Sequence, residues 1–299
     1  MIAATLYSDP ACPWAYSESP ALRVIEWRYG DQLDWKLVLI GLTEESSQYA
    51  ARGYTPLRGA LGQLSFRRYG MPFAPEPKSQ LSATARACRA VVAARIQSPG
   101  SEWAVFRAIQ LANFTTGLVL EDDEGLRDVL SKVPGIDADA IIEALDSDAV
   151  TVAYEADKAD SRTAAGSPTE LQRKAGNTDG VVRYTAPSVI LQSNGTRLEA
   201  GGFQPVEAYD VLIANLDPTL ERQAPPATPT PLLNHFEGGL TTQEVAALMT
   251  AGNEAPDRKA AEAALIELVA EGLATRTQLG DDALWLASAP GARSASGLA

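Results

Sequence analysis

Few residues of this 299-residue chain could perform nucleophilic chemistry, because it contains only two cysteines and one histidine. Cys12 lies in the stretch SDPACPWAYSESP (8–20) and is followed by Pro13 and Trp14. Proline fits the first position of a helix, where its missing N–H group would have no partner. A thiol at a helix start is stabilised as the thiolate by free backbone N–H groups and by the helix dipole, which lowers its pKa. The stretch therefore predicts a nucleophilic Cys12.

The scarcity of cysteine and histidine also limits the other classes of site. A structural zinc site needs about four such ligands, so we expect no metal. A serine or cysteine site with a histidine base would depend on His235, far from Cys12 in the chain. Cys88 lies on an apolar stripe with Ala85 and Val92, which predicts a buried, small apolar residue. The alternative is a redox role, in which the Cys88 thiol would resolve a mixed disulfide at Cys12.

A strand–helix–strand unit is predicted around Cys12. The apolar run 2–8 predicts a buried first strand, and helical spacing continues from Pro13 to Gly30. The run 33–42 predicts a second strand. Two strands joined through a helix in this way should be parallel.

The middle of the chain is predicted to be helical after an irregular stretch at 43–76. The apolar spacing predicts helices at 79–96, 102–117, 123–133 and 137–165. Strands then follow at 186–193 and 196–202, and Asn194-Gly195 between them is a strong hairpin signal. A helix at 205–216 closes this part of the chain.

The C-terminal part is predicted to be a separate domain. The proline-rich segment 218–231 predicts a stiff linker, and 232–288 predicts two helices followed by a small hairpin, which is the winged-helix pattern. The tail 289–299 is predicted to be disordered. From residue 226 onward, nine acidic residues outnumber four basic ones, whereas a DNA-binding domain needs a positively charged surface. We therefore predict protein contact, either docking on the N-terminal domain or pairing with another subunit.

The whole-chain composition agrees with a cytoplasmic protein that binds neither nucleic acid nor membrane. The formal net charge is -13, which opposes nonspecific binding to phosphates. No apolar run approaches the ~20 residues that span a bilayer. The first residues lack the basic and apolar regions of a signal peptide.

The order of elements and two motifs resemble the thioredoxin fold of DsbA-like oxidoreductases. DPACPWAY (9–16) follows the first strand, and TAPSVIL (185–191) opens the third after a long helical stretch. Cys-Pro-Trp is characteristic of the FrnE-like, cytoplasmic branch of that family, and the resemblance covers about residues 1–217. The predicted fold class is α/β: a thioredoxin fold with an all-helical insertion at about 57–170, plus the small winged-helix-like domain.

The resemblance also implies roles for the motif residues. Cys12 would be the attacking thiolate. Four neighbours would shape the site around it, namely Pro13, Trp14, Ala15 and Tyr16. Pro187 would follow a cis peptide bond and lie against Cys12, and the backbone at Ala186 and Pro187 would bind the substrate. The alternative is that Pro187 only opens a strand.

Ala15 departs from the family pattern, which has the resolving cysteine at that position. Without it, a mixed disulfide at Cys12 needs an external thiol for its release. Three explanations remain open. Cys12 works as a monothiol on a small thiol, the site is degenerate and retained for binding, or Ala15 is an introduced substitution that traps a mixed disulfide.

Other side chains could contribute to binding. Tyr7, Trp14, Tyr16 and Trp35 could line a substrate groove, with core packing as the alternative for Trp35. Four arginines could bind the carboxylates of a thiol cofactor, with a solvated face as the alternative. They are Arg67, Arg68, Arg86 and Arg89.

The sequence as a whole predicts a thiol-disulfide oxidoreductase that acts through mixed disulfides at Cys12. Its substrate would be a protein or small-molecule thiol or disulfide. No tightly bound cofactor is expected, although glutathione or mycothiol could serve as a small thiol, and a homo-oligomer is possible. The alternatives are an enzyme that resembles kappa-class glutathione transferases and 2-hydroxychromene-2-carboxylate isomerases, or a non-catalytic interaction module.

Overall fold

A four-stranded sheet forms the centre of the N-terminal part. The computed structural model describes residues 1–178 and 180–288. The sheet has the order β2-β1-β3-β4. Its strands are β1 (Ile2–Ser8), β2 (Leu33–Leu39), β3 (Ser188–Ser193) and β4 (Thr196–Gly201). β1 and β2 are parallel, as the sequence predicts, while β3 is antiparallel to both β1 and β4. The predicted tail 289–299 lies outside the described residues.

The hairpin of β3 and β4 turns at the predicted dipeptide. Asn194 and Gly195 have φ values of 49° and 77°, which is the left-handed conformation that such a two-residue turn requires. β3 begins at Ser188, later than predicted, because Pro187 has no N–H group to give to the sheet.

The helix after β1 is broken, contrary to the prediction of one helix from Pro13 to Gly30. α1 (Pro13–Ser17) and α2 (Ser19–Tyr29) meet at Glu18. Pro20 cannot donate the hydrogen bond that would continue a single helix, which accounts for the break.

The regular elements described between β2 and β3 are helices, separated by loops of which the longest lie at 70–84 and before β3. The helices are α3 (Ser46–Ala51), α4 (Pro56–Phe66), α5 (Ala85–Gln97), α6 (Glu102–Thr115), α7 (Asp123–Leu130), α8 (Ala138–Ala144), α9 (Asp148–Ser161) and α10 (Pro168–Leu171). α11 (Val206–Leu216) follows β4. The sheet, α5, α6 and α9 share one apolar core.

Three sequence predictions in this helical region were wrong. The stretch 43–76 contains α3 and α4, because the Thr55 hydroxyl caps α4 and Pro56 occupies its first position. α5 begins at Ala85 rather than at residue 79. The N–H groups of Thr84 and Ala85 donate to the Thr43 carbonyl and not to carbonyls of a preceding helical turn. The predicted helix 137–165 is divided into α8 and α9, where the Ser147 hydroxyl accepts from the Val150 N–H and starts a new helix.

Residues 230–288, the C-terminal unit, contain three helices and a three-stranded sheet among the described residues. Its elements are α12 (Thr230–His235), β5 (Leu240–Thr241), α13 (Thr242–Met249), α14 (Arg258–Ala270), β6 (Ala274–Leu279) and β7 (Asp282–Ala287). The sheet order is β5-β7-β6. Leu232, Leu265 and Trp285 form an apolar core that also includes Val24 and Trp27 of α2.

The C-terminal unit packs against α2, and the proline-rich segment before it follows the same helix. The Trp27 indole N–H donates to the Ala224 carbonyl at 3.0 Å, and the Gln223 N–H donates to the Arg28 carbonyl at 2.8 Å. The linker is therefore attached to the N-terminal part. None of the helices in 1–178 and 180–288 is both long and apolar enough to cross a bilayer.

Candidate functional site

The site forms where β1 ends and α1 begins. The Cys12 N–H donates to the Asp9 carbonyl at 3.1 Å, and this turn places Cys12 at the N-cap of α1. The Cys12 thiol donates to the Ala186 carbonyl at 3.0 Å, and the Ala186–Pro187 peptide bond is cis. Two segments separated by 174 positions thus meet at one sulfur atom.

The protonation of Cys12 is opposite to the sequence prediction. Cys12 is only 7% exposed, and its burial raises the pKa of the thiol to about 11. Backbone N–H groups of Ala15 and Trp14 lower this pKa, but the negative charge of Asp9 raises it further. The thiol is therefore neutral at neutral pH in this conformation. The helix-start effect exists, but the loss of solvation is larger.

Asp9 carries a fully buried carboxyl group beside the turn that positions Cys12. Its Oδ1 accepts from the Ala11 N–H, and its Oδ2 accepts from the Leu42 N–H and the Thr84 hydroxyl, each at 2.9 Å. The Cys88 thiol also lies 3.6 Å from Oδ2. Burial raises the pKa of Asp9, although these hydrogen bonds lower it. Asp9 therefore connects the turn of Cys12 to α5.

Replacing Asp9 should make Cys12 more reactive. In Asp9→Asn the negative charge near the sulfur is lost, so the pKa of Cys12 should fall. The alkylation rate of Cys12 by iodoacetamide at pH 8, followed by intact mass, should rise by roughly threefold to tenfold. Thr84→Val is the control, because it removes one hydrogen bond to the carboxyl group and keeps the charge. An unchanged or raised pKa in Asp9→Asn would contradict the assigned role of this charge.

Cys88 lies in the main apolar core with no exposed surface, and both cysteines are free thiols. Burial raises the pKa of Cys88 far above its usual value, and the charge of Asp9 adds to this. These properties favour the predicted role as a small apolar residue.

An aromatic cluster forms around Trp14, two residues after Cys12. Trp14, 40% exposed, contacts the rings of Phe66, Tyr69 and Phe203 at centroid distances of 4.9, 5.8 and 5.6 Å. Tyr69 and Phe203 also contact each other at 4.7 Å. We call these four residues the aromatic wall.

Glu18 holds the segment that carries Phe203. Glu18 lies at the junction of α1 and α2, and its buried carboxyl group accepts from the Tyr209 hydroxyl at 2.8 Å and from the Gln204 N–H at 3.2 Å. Burial raises the pKa of Glu18 to about 8, so the group is mainly protonated at pH 7. Glu18, at the break between α1 and α2, thus holds the segment of Phe203 on one side of the aromatic wall.

The remaining motif residues lie in the interior. Ala15 is buried in an apolar cluster with Cys12, Tyr7 and Tyr184. Tyr16 is fully buried, donates to the Pro72 carbonyl at 2.7 Å and stacks on Phe114 at 4.6 Å. Tyr16 therefore anchors α1 and does not line a groove, which corrects the sequence prediction.

Two other predicted groove residues, Tyr7 and Trp35, also pack in the interior and do not line a groove. Tyr7 is buried, stacks on Tyr184 at 4.5 Å and donates to Asp160. Trp35 packs against the main core, as the alternative predicted. His235 contacts Trp27 in the C-terminal core.

The four arginines do not converge on Cys12. Arg86 pairs with Asp123 and Asp146, and Arg89 donates to the Leu145 carbonyl and the Thr151 hydroxyl. Two others lie nearer the aromatic wall but are engaged there: Arg67 pairs with Asp281, and Arg68 lies over the ring of Tyr69. Among the described residues, no group of three or more His, Cys, Asp or Glu side chains could hold a metal ion.

Sequence reasoning missed Asp9, Glu18, Phe66, Tyr69 and Phe203. Asp9 carried a local signal, since an aspartate three residues before Cys12 can accept the N–H groups of the turn. The other four have no local signal, because they reach the site through tertiary packing.

Comparison with known proteins identifies the family. The model of the DSBA-like thioredoxin domain matches residues 4–180, more than half of the chain. The chain belongs to the DSBA-like thioredoxin domain family. Ala186 and Pro187 lie beyond the matched residues of this DSBA-like domain, although the Ala186 carbonyl accepts from the Cys12 thiol.

Solved structures of DsbA-like proteins share the fold. A proposed protein disulfide isomerase from Nitrosomonas europaea is 19% identical, with a TM-score of 0.54 over 72% of this chain and 96% of its own. A proposed DsbA oxidoreductase from Streptomyces coelicolor is 18% identical, with a TM-score of 0.54 over 73% and 91%. The cytosolic disulfide reductase DsbM from Pseudomonas aeruginosa is 17% identical, with a TM-score of 0.51 over 72% and 98%. No curated protein matches the chain.

Proposed function

We propose that this DSBA-like chain is a thiol-disulfide oxidoreductase of FrnE-like type that forms mixed disulfides through Cys12 alone. The contact of the Cys12 thiol with the Ala186 carbonyl, at 3.0 Å, carries the proposal. It brings the CPWA motif and the Ala186–Pro187 segment to one sulfur atom. The N–H groups of Trp14 and Ala15 lower the pKa of this thiol and favour the thiolate when it forms.

The proposed reaction is an exchange of disulfides. Cys12 loses its proton to solvent, and the thiolate attacks one sulfur of a substrate disulfide. The substrate S–S bond breaks as the Cys12 mixed disulfide forms, and the other substrate sulfur leaves as a thiolate that takes up a proton. A second thiol, as its thiolate, then attacks the substrate sulfur of the mixed disulfide and releases Cys12. Because Ala15 has no sulfur, the motif cannot form an internal disulfide between the two steps.

A small thiol such as glutathione or mycothiol is the proposed second reactant. One structure of the similar DsbM protein contains glutathione. DsbM is also named as cytosolic, which supports the prediction of a cytoplasmic protein. The homo-oligomer stays a prediction.

The first experiment exposes the protein to oxidised glutathione between pH 6 and pH 10 and follows intact mass. Wild type and Cys88→Ser should gain one glutathione, whereas Cys12→Ser should gain none. Because the pKa of Cys12 is raised to about 11, the initial rate should rise by about tenfold for each pH unit across this range. Reduced glutathione should remove the adduct.

The raised pKa of Cys12 favours a second candidate, a non-catalytic interaction module. In that case no adduct should form at Cys12 at any pH in the range. Alternatively, any adduct should form on Cys88, so that Cys88→Ser abolishes it. Either result would contradict the proposed oxidoreductase.

We also infer that residues 232–288 are a winged-helix-like domain after a linker at 218–231, joined to a thioredoxin domain at 1–217. The order helix, short strand, two helices and hairpin supports this interpretation. The Arg258 side chain, at the start of α14, is engaged by Asp282 within the unit. Together with the acidic charge, this supports a role in protein contact rather than in nucleic-acid binding.

A further inference from the structure

The tip of the β6–β7 hairpin is attached to the N-terminal part near the aromatic wall. The Asp281 N–H donates to the Phe73 carbonyl at 3.0 Å, and the Phe73 N–H donates to Asp281 Oδ1 at 2.8 Å. Asp281 Oδ2 pairs with the Arg67 guanidinium at 2.9 Å. A Cβ atom at Gly280 (φ +56°) would lie 2.8 Å from the Phe73 carbonyl, so this close approach requires glycine. The tip therefore fixes both ends of the segment 67–73.

Side chains behind the hairpin hold the middle of the same segment. The Arg258 guanidinium donates to the Gly70 carbonyl and also pairs with Asp282 Oδ2 at 2.9 Å. The Gln243 side chain covers the face of Gly70. The Thr241 hydroxyl contacts Met71 Sδ at 3.5 Å. The hairpin, α13 and α14 thus all contact residues 67–73.

The segment 67–73 carries Tyr69, which closes the aromatic wall. The Tyr69 ring contacts both Trp14 and Phe203, and Phe66 directly precedes the segment. By contrast, the hydrogen-bond partners of the Cys12 thiol all lie in the N-terminal part. The contacts of the C-terminal unit with residues 67–73 therefore act on the position of Tyr69 and do not involve the Cys12 thiol.

We infer that the C-terminal unit sets the substrate preference of the site, with Asp281 as a positioning residue that holds Tyr69 on the aromatic wall. The chemical class selected is a disulfide with an aromatic or large apolar group beside the reacting cysteine. A ring placed against the wall would make the favourable contacts of an aromatic cluster. This inference rests on the proposed function.

The test compares two matched disulfide probes, the symmetrical disulfides of acetyl-Phe-Cys-amide and of acetyl-Ala-Cys-amide. Mixed-disulfide formation at Cys12 is followed by intact mass over a range of probe concentrations. Wild type should prefer the phenylalanyl probe by up to about tenfold in apparent affinity. In Asp281→Ala this preference should fall to about twofold or less. The rate with the alanyl probe should stay within about twofold, because the Cys12 thiol keeps its own partners.

Two further variants keep the test decisive. Asp281→Asn loses the ion pair with Arg67 but keeps an oxygen for the Phe73 N–H, so its preference should be intermediate. Glu267→Ala removes the same charge from an exposed position on α14 and should behave as wild type. An unchanged preference in Asp281→Ala, or an equal loss in Glu267→Ala, would overturn the inference.

Hydrogen–deuterium exchange separates this inference from the proposed function. Asp281→Ala should increase exchange in residues 67–73, and Glu267→Ala should not. If neither probe reacts with wild type, the proposed function fails, while increased exchange still supports the positioning role. If exchange in 67–73 is unchanged in folded Asp281→Ala, the positioning role fails even where both probes react.

Discussion

Ala15→Cys should convert the site from a monothiol into a dithiol. Ala15 lies three residues after Cys12, its backbone N–H group lowers the pKa of the Cys12 thiol, and both residues belong to one apolar cluster. A thiol at position 15 should therefore attack the Cys12 sulfur of a mixed disulfide and expel the bound thiol. Because the reaction becomes intramolecular, the lifetime of the mixed disulfide should shorten by about a hundredfold or more.

The measurement for Ala15→Cys is intact mass after a pulse of oxidised glutathione. The glutathione adduct should disappear without added thiol, leaving a species two hydrogen masses lighter than the reduced protein. Ala270→Cys, which adds a thiol on the exposed side of α14, is the control and should keep the adduct at Cys12. The added sulfur lies in a packed cluster, so we expect a stability loss of about 1–3 kcal/mol. A persistent adduct would contradict the orientation of position 15 toward Cys12.

Glu244→Gln should strongly destabilise the protein, because it breaks a buried ion pair between the two parts of the chain. The Arg107 guanidinium of α6 contacts both carboxylate oxygens of Glu244, at 2.7 and 2.8 Å, and Glu244 has no exposed surface. Without the charge of Glu244, Arg107 would remain buried and uncompensated. The free energy of unfolding should fall by about 3–5 kcal/mol.

The same pair predicts a pH dependence. Burial alone would raise the pKa of Glu244, but the charge and hydrogen bonds of Arg107 lower it to about 2. A carboxyl group with a folded pKa below its unfolded value contributes stability above its unfolded pKa of about 4.5. This contribution is lost as the pH falls toward 2. Wild type should therefore lose more stability between pH 5 and pH 2 than Glu244→Gln does.

Urea unfolding followed by circular dichroism measures both effects. Glu271→Gln, a charge change at an exposed position, should stay within about 0.5 kcal/mol of wild type. Adding Arg107→Met to Glu244→Gln should recover part of the loss, since no buried charge then remains. Equal stability of Glu244→Gln and wild type at pH 7 would show that the pair contributes no net stability.

Local sequence signals predicted the elements that carry the site. Alternation and apolar runs indicated the strands that became β1 to β4, and Asn194-Gly195 gave the hairpin turn because few residues adopt its backbone conformation. Helix ends were less predictable. The break at Glu18 and the helices α3 and α4, in a stretch predicted to be irregular, illustrate this. Such ends depend on single capping bonds and on prolines within otherwise continuous patterns.

The sequence by itself determined where the proposed nucleophile lies, because the CPWA motif at 12–15 follows a strand and begins a helix. Only the tertiary structure decided the protonation state of its thiol. Burial by distant segments raises the pKa of Cys12 to about 11, which outweighs the local effect of the helix start. The aromatic wall and its attachment to Asp281 were also beyond local patterns, since their residues come from separate segments that only packing brings together. Solvation and long-range contacts depend on what covers a residue, and neighbouring sequence does not encode this.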